Sequence, residues 1–305
     1  MNTHASHDES VRLLNLATRA SVLTAGCLVL LKIGAWLMTG SVSLLASLID
    51  SIMDGLASLI NLFAVRYALM PADKEHPFGH GKAEFLAGLG QSVLIAGSAA
   101  FLFFQAINRL QAPQPVDQPV VGAVVSVLAI LATLLLLSIQ WKTIKRTGSV
   151  AIRADSLHYV GDLFTNIAVV VAMGASFYGW YYVDPVLAIV IGMVILYSAI
   201  QIGYEAVQLL MDRELPREMQ EQIREIAMAH PEVLGVHELR TRQSGRVLFM
   251  QLHLEMAGDL PLSVAHAIGD EVEAEIEHAF PLADVLIHHD PAPSEARQSN
   301  QQAGQ

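Results

Sequence analysis

The sequence predicts a membrane protein in which a bundle of six transmembrane helices is followed by a small, water-exposed α/β domain. The first observation behind this fold class is composition: 53% of the 305 residues are hydrophobic and only 15% are charged, whereas soluble domains carry about 25% charged residues. The second is the charge distribution, because residues 212–305 have a net charge of −10 and residues 1–211 one of −1. Such an acidic surface disfavours nucleic acid as a partner and suits cations.

Six apolar stretches are each long enough to cross a lipid bilayer as a helix, which requires about 20 residues. They cover residues 14–38, 42–68, 84–108, 119–141, 152–178 and 185–211. Turn and breaker residues such as Gly40 and Pro71 separate them. The resulting domains are a polar N-terminal tail at 1–10, a transmembrane domain at 11–211, a cytoplasmic domain at 212–290 and a C-terminal tail at 291–305 that we expect to be disordered.

The placement of Lys and Arg predicts the orientation of the bundle. Positive charges lie at the start of the first span, in or beside the second and fourth connections, and after the last span. They include Arg12, Arg19, Arg66, Lys74, Lys142, Arg146, Arg213 and Arg217. The alternate connections contain only Arg109. Because positive charge concentrates in cytoplasmic loops, we expect a multi-pass protein with both termini in the cytoplasm.

After Asp212 the hydrophobic pattern changes to that of a small soluble domain. Amphipathic helices are predicted at 216–230 and 263–279, and strands at 234–242, 246–256 and 284–289. The order αββαβ predicts an open sheet with both helices on one face.

Four ionisable side chains lie inside otherwise apolar spans. Asp50 and Asp54 are four residues apart, so they share one face of the second helix, and His158 and Asp162 repeat this spacing on the fifth. A single Asp at the centre of a membrane helix costs about 2.5–3.5 kcal/mol on insertion scales. Neither of these helices offers a Lys or Arg at matching depth, so another partner must compensate the charge.

Two interpretations of these four residues are open. One is a buried hydrogen-bond cluster of carboxyl and imidazole groups without a ligand. The other is a metal site, since three carboxylates and one imidazole supply the four ligands of tetrahedral Zn²⁺. An imidazole among oxygen ligands favours Zn²⁺, Cd²⁺, Fe²⁺ or Mn²⁺ over Mg²⁺ or Ca²⁺, and the repeated spacing favours the metal interpretation.

Three motifs together resemble the cation diffusion facilitator family. They are the stretch around Asp50 and Asp54, residues 43–55; the loop His-Pro-Phe-Gly-His-Gly-Lys, residues 76–82; and the stretch around His158, residues 155–162. The resemblance implies a homodimeric, proton-coupled exporter of divalent metals in the bacterial inner membrane, with six membrane helices and a ferredoxin-like, metallochaperone-like cytoplasmic domain. It also implies that Asp50, Asp54, His158 and Asp162 form the transport site.

A second candidate cluster lies on the connection after the second span. Asp73, His76 and His80 are interrupted by Pro77 and Gly79, so they are expected on an irregular loop that can fold around one ion. Solvated polar residues are the alternative interpretation of this spacing, and the resemblance favours metal. By resemblance, Lys82 instead pairs with Asp212 in an interlock that holds the dimer together.

A third candidate cluster lies in the acidic domain and contains His237, His253, His266, His288, His289 and Asp290. On a strand, His288 and Asp290 face one side and His289 the other. The resemblance implies a binuclear site at the dimer interface, in which Asp290 bridges two ions. His237, His253 and His288 would complete the shell of one ion, and His266 and His288 that of the other. Whether His289 is itself a ligand stays open.

The sequence thus favours export of Zn²⁺, with Cd²⁺ or Fe²⁺ as further possible cargo, in exchange for protons. An intramembrane metal-dependent hydrolase is the enzymatic alternative, but no His-Glu-x-x-His motif is present. A passive divalent-cation channel is a second alternative to an exporter, although tight tetrahedral ligation would release ions too slowly for channel flux.

Overall fold

The computed structural model describes residues 3–40, 42–111, 119–176, 178–180 and 182–292. The chain divides into two compact units between Val207 and Gln208. The predicted C-terminal tail lies outside the described residues from residue 293 onward.

The first unit is built from six long helices, as the sequence predicts. They are α1 Thr3–Thr39, α2 Val42–Ala68, α3 Lys82–Gln111, α4 Pro119–Thr147, α5 Val150–Ser176 and α6 Val183–Leu210. Each contains a segment long and apolar enough to cross a bilayer. One difference concerns the N-terminus, where α1 reaches back to Thr3 and includes most of the predicted polar tail. No Gly or Pro interrupts residues 3–25, so nothing local ends the helix there.

Glycines end two of the membrane helices. Gly40 follows α1 with φ +63°, and Gly148 joins α4 to α5 with φ +65°. Because side chains with a Cβ disfavour this left-handed conformation, Gly is the residue that allows the chain to turn there. Outward-facing side chains are apolar: Leu23, Leu30 and Leu37 of α1 are each 69–70% exposed. Such a face is suited to contact with lipid or with another apolar protein surface.

The second unit has the predicted αββαβ order. Its elements are α7 Arg217–Met228, β1 Gly235–Ser244, β2 Val247–Met256, α8 Leu262–Ala279 and β3 Ala283–Pro291. The sheet order is β1-β2-β3, with β1 antiparallel and β3 parallel to β2. Alternate side chains of β2 are buried against residues of both helices, including Ile223 of α7 and Ile276 of α8. The helices therefore share one face of the sheet, and the other face is left for polar side chains.

Candidate metal centres

The first cluster joins α2 to α5 within the membrane-spanning bundle. His158 Nε2 lies 2.9 Å from Asp54 Oδ1 and 3.5 Å from Asp162 Oδ2. One ligand atom from each of these residues lies within 4.8 Å of the others. All three side chains are largely buried, with 14–29% of their surface exposed. The i, i+4 spacing on α5 and the contact with α2 thus bring two carboxylates to one imidazole.

Asp50 is the predicted fourth member of this site. It lies one turn before Asp54 on α2 and is exposed, and the group within 4.8 Å contains Asp54, His158 and Asp162 without it. The structure therefore brings together three of the four predicted residues and places the fourth on the adjacent turn.

A buried hydrogen-bond network holds α5 in place next to this site. Asp155 has no exposed surface, and it accepts hydrogen bonds from Ser21 Oγ (2.6 Å), Gln140 Nε2 (2.7 Å) and Gln91 Nε2 (3.0 Å). These three donors lie on α1, α4 and α3, so one carboxylate connects α5 to three other helices. Because His158 follows Asp155 by less than one turn, the network fixes the rotation of the helix that carries the imidazole.

Sequence reasoning assigned no role to Asp155, although the residue lies within one of the quoted motifs. The available signal was a further acidic residue on the same apolar span, which is costly unless it is paired. Neighbouring Tyr159 adds to the network, since its hydroxyl lies 2.9 Å from Ser58 Oγ of α2 and 3.2 Å from the Ser21 carbonyl oxygen.

Lys32 of α1 is the second residue that the sequence reasoning missed. Its side chain is buried, with 8% exposed, and Nζ donates to Ser51 Oγ at 2.5 Å and to the Ser47 carbonyl oxygen at 3.1 Å, both on α2. The expectation that α2 and α5 carry no Lys or Arg at this depth holds for those two helices, but α1 supplies a cation beside them. A Lys inside an apolar span was itself the signal.

The second cluster forms on the loop between α2 and α3. Asp73 Oδ1 lies 3.4 Å from His76 Nδ1, and Asp73 Oδ2 lies 3.3 Å from His80 Nε2. The Asp73 carboxylate also accepts hydrogen bonds from the backbone N–H groups of His76 (2.7 Å) and Glu75 (2.9 Å). The bond from the His76 backbone is the main cause of a lowered Asp73 pKa. Gly79, with φ +78°, allows the turn that returns His80 to the cluster.

His80 is the anchored member of the loop cluster. Its ring is buried, Nδ1 lies 3.2 Å from the Pro71 carbonyl oxygen, and the Tyr67 ring packs edge-on with 4.5 Å between centroids. Asp73 and His76 are exposed. One candidate ligand is therefore pre-oriented and the other two are open to water.

The third cluster lies on the polar face of the sheet. The strand register aligns His237 with His253 and His253 with His288, so three imidazoles form a row across β1, β2 and β3. Asp290 connects them: Oδ2 lies 2.8 Å from His253 Nδ1 and 3.3 Å from His237 Nε2, and Oδ1 lies 3.3 Å from His288 Nε2. The hydrogen bond with His253 is the main cause of a lowered Asp290 pKa.

The structure separates His266 and His289 from this row. Their rings lie 6.0 Å apart, edge to face, and His266 Nδ1 lies 3.5 Å from Asp270 Oδ1 on the same helix. His289 points toward α8, where a Cβ added to Gly269 would lie 2.2 Å from His289 Nε2. Burial lowers the pKa of His289. His289 therefore packs against a glycine of α8, on the opposite side of β3 from Asp290.

The predicted interlock residues lie in different units of the chain. Lys82 is the first residue of α3. Asp212 follows α6 with φ +59°, and its Oδ1 lies 3.6 Å from Arg242 Nη1 within the second unit. Their pairing stays a prediction.

Comparisons with known proteins agree with this architecture. Residues 18–211 match the cation efflux transmembrane domain, and residues 215–292 match the cation efflux protein cytoplasmic domain. The chain belongs to the cation efflux family. The resemblance to the cation diffusion facilitators is thereby confirmed, and the chain is a multi-pass membrane transporter with a cytoplasmic domain. This membership rules against the hydrolase alternative.

Relatives within this family span nearly the whole chain. The cation-efflux pump FieF of Escherichia coli O1:K1 / APEC is 50% identical over 291 residues, which cover 94% of this chain and 97% of the relative. FieF of Klebsiella pneumoniae is 52% identical over 281 residues, 92% of this chain and 94% of the relative. A solved structure of CzrB in its zinc form is 37% identical and covers 27% of this chain and 93% of its own, with a TM-score of 0.26.

Proposed function

We propose that this protein exports divalent metal cations, Zn²⁺ foremost, from the bacterial cytoplasm across the inner membrane in exchange for protons. The observation that carries the proposal is the approach of His158 on α5 to Asp54 on α2 and Asp162, with distances of 2.9 and 3.5 Å inside the bundle. A cation-efflux pump as a relative over 94% of the chain supports the direction of transport.

The ligand chemistry supports a borderline-soft dication as cargo. One imidazole among carboxylates suits Zn²⁺, and it also accepts Cd²⁺, Fe²⁺ and Mn²⁺ better than Mg²⁺ or Ca²⁺. Asp50, on the turn before Asp54, is the proposed fourth ligand. A small rotation or shift of α2 against α5 would bring it to the ion, and this is the kind of relative helix movement that alternating access uses.

Competition for the same lone pairs explains the exchange with protons. A metal ion needs ionised carboxylates and a neutral imidazole, so protonation of these groups expels it. Removing the ion without supplying protons would leave several negative charges in a low-dielectric environment, which is costly. Each side of the membrane can therefore drive the site toward the loaded or the protonated state, depending on its pH and metal concentration.

We further propose that the loop and sheet clusters bind Zn²⁺ without transporting it. The sheet cluster offers three imidazoles and a carboxylate, a donor set that suits Zn²⁺. In a homodimer, such as the family resemblance implies, His266 and His288 would complete a second ion's shell, with Asp290 as the bridge. Ions bound there would stabilise the cytoplasmic domain and the dimer.

Reconstitution into liposomes tests the proposed transport. Zn²⁺ uptake should require an opposing proton gradient, saturate with Zn²⁺ concentration, and stop in the Asp162→Asn variant, which keeps the side-chain shape and removes the charge. Uptake that continues after a protonophore collapses the gradient, or that shows no saturation, would contradict the antiporter and favour a passive channel.

A further inference from the structure

A buried cation on α1 reaches the part of α2 that carries the proposed ligands. Lys32 is 8% exposed, and its Nζ donates to Ser51 Oγ at 2.5 Å and to the Ser47 carbonyl oxygen at 3.1 Å. Asp50 lies between these two acceptors in the sequence. The hydrogen bonds hold the ammonium group in one position against α2. Without such partners, a lysine side chain at this depth would extend toward the membrane surface.

We infer that the Lys32 ammonium is a fixed positive charge that weakens metal binding at the transport site and so permits release of the cargo. The inference rests on the proposed function of that site. The two acceptors of the ammonium, Ser47 and Ser51, lie on the turn of α2 that carries Asp50. The hydrogen bonds of the ammonium go to Ser51 and to the Ser47 backbone, neither of which is a proposed ligand, so loading of an ion need not displace it.

Charge balance gives this cation a specific effect. Three ionised carboxylates and a dication would leave a net negative charge in the bundle, whereas the same set together with Lys32 is neutral. A neutral loaded site avoids the cost of carrying net charge through a low-dielectric region while the helices move. The ammonium also repels a dication twice as strongly as it repels one proton at the same place, so it shifts the competition toward protons when fewer than two protons replace the ion.

A purely structural role makes the opposite prediction. If Lys32 only connects α1 to α2, its loss should loosen the site and weaken binding. If its charge weakens binding, its loss should tighten binding and slow release. The direction of the change in metal affinity therefore separates the two roles.

The test compares Lys32→Met with wild type and with Lys142→Met, a matched change at an exposed position near the end of α4. Full-length proteins are reconstituted, and Zn²⁺ uptake is measured at one fixed pH gradient. We expect Lys32→Met to lower KM by about ten-fold and to reduce the maximal rate, because a site without the repulsion from the ammonium holds its ion more tightly. Lys32→Arg, which retains the charge, should lie close to wild type in KM.

An unchanged or raised KM in folded Lys32→Met would overturn the inference while leaving wild-type antiport intact. A lowered KM in Lys142→Met as well would also overturn it, since the effect would not then be local. If Lys32→Met fails to fold, uptake by Lys32→Gln is measured instead. If neither variant folds, Lys32 has a structural role and the inference is overturned. If wild type itself transports no Zn²⁺ against protons, the proposed function fails first.

Discussion

The transmembrane cluster and the sheet cluster consist of the same types of side chain, carboxylates and imidazoles, in different settings. In the bundle, helical spacing places His158 beside Asp162, and α2 brings Asp54 to within 2.9 Å. In the sheet, strand register places His237, His253 and His288 in a row around Asp290. The transmembrane side chains are 14–29% exposed, whereas those of His237, His253 and Asp290 are 28–41% exposed.

The difference concerns the setting of a cluster of carboxylates and imidazoles. On the sheet, the hydrogen bond with His253 lowers the pKa of Asp290, so its ionised form is stable without a metal ion. In the bundle, the cluster lies on membrane-spanning helices, where carboxylate charge is costly unless protons, a metal ion or a nearby cation balance it. Similar side chains are therefore suited to binding on the sheet and to exchange within the membrane.

Removing one candidate ligand should separate the two clusters most strongly. Asp54→Ala deletes a proposed ligand of the proposed transport site, so we expect Zn²⁺ uptake to fall by about 100-fold or more. His253→Ala, on the sheet, should reduce it by less than about three-fold, because the proposed transport route does not include that cluster. Uptake by reconstituted protein measures both, and Asp259→Ala, at an exposed turn after β2, is the control. Equal losses of Zn²⁺ uptake in the two variants would contradict the proposed difference in role between the two clusters.

Changing the imidazole should affect selectivity in the bundle alone. With His158→Asp all proposed ligands become oxygens, so uptake of Mn²⁺ relative to Zn²⁺ should rise by about ten-fold. The matched substitution His253→Asp should leave the ratio of the two rates unchanged. Competition between the two metals in liposomes measures this ratio. A constant ratio in the His158 variant would mean that another group selects the ion.

The pH dependence of the sheet cluster should not come from its carboxylate. The folded-state pKa of Asp290 is lowered, so the stability that its ionised form contributes is present above the unfolded value of about 3.9 and is lost only as the pH falls through the lower folded pKa. Asp290→Asn should therefore destabilise the cytoplasmic domain at pH 6 as well as at pH 8, and the loss should shrink only at more acidic pH. Metal-free denaturation at several pH values tests this, and a difference that vanishes by pH 6 would contradict it.

The smallest effect concerns His289, which lies outside the row of imidazoles. A Cβ at Gly269 would lie 2.2 Å from His289 Nε2, so Gly269→Ala should destabilise the domain by about 1–3 kcal/mol, as overpacking does. In the His289→Ala background the same change should cost much less, because the clash is absent. Denaturant unfolding of the four proteins measures the coupling. Additive effects would show that His289 does not pack on this glycine.

The sequence predicted most of the fold because its signals are local. Six apolar runs of sufficient length specify the membrane helices, and the change of period after Asp212 specifies the αββαβ domain. The pairing of Asp54 with His158 was also predictable, since an i, i+4 spacing of costly residues on each of two spans is hard to explain otherwise. Strand alternation likewise placed His288 and His289 on opposite faces of β3.

Features that depend on how helices pack were not predictable. The partners of Asp155 come from α1, α3 and α4, and nothing in the local pattern of those helices indicates that Gln140 or Ser21 faces a carboxylate. The two helices that carry the proposed ligands show no compensating cation in their own sequence, whereas Lys32 reaches α2 from α1. Asp50 was predicted beside His158, and its exposed position depends on how α2 is rotated in the bundle.

Zinc binding by a protein that keeps only the transmembrane cluster tests the central claim most directly. Replacing Asp73, His80, His237 and His253 by Ala removes the other two clusters from the full-length chain. Equilibrium binding should then show a single Zn²⁺ per chain, X-ray absorption should show one imidazole among oxygen ligands, and both should disappear in the additional variant Asp162→Asn. Bound zinc that persists after that last substitution, or no bound zinc before it, would contradict the claim.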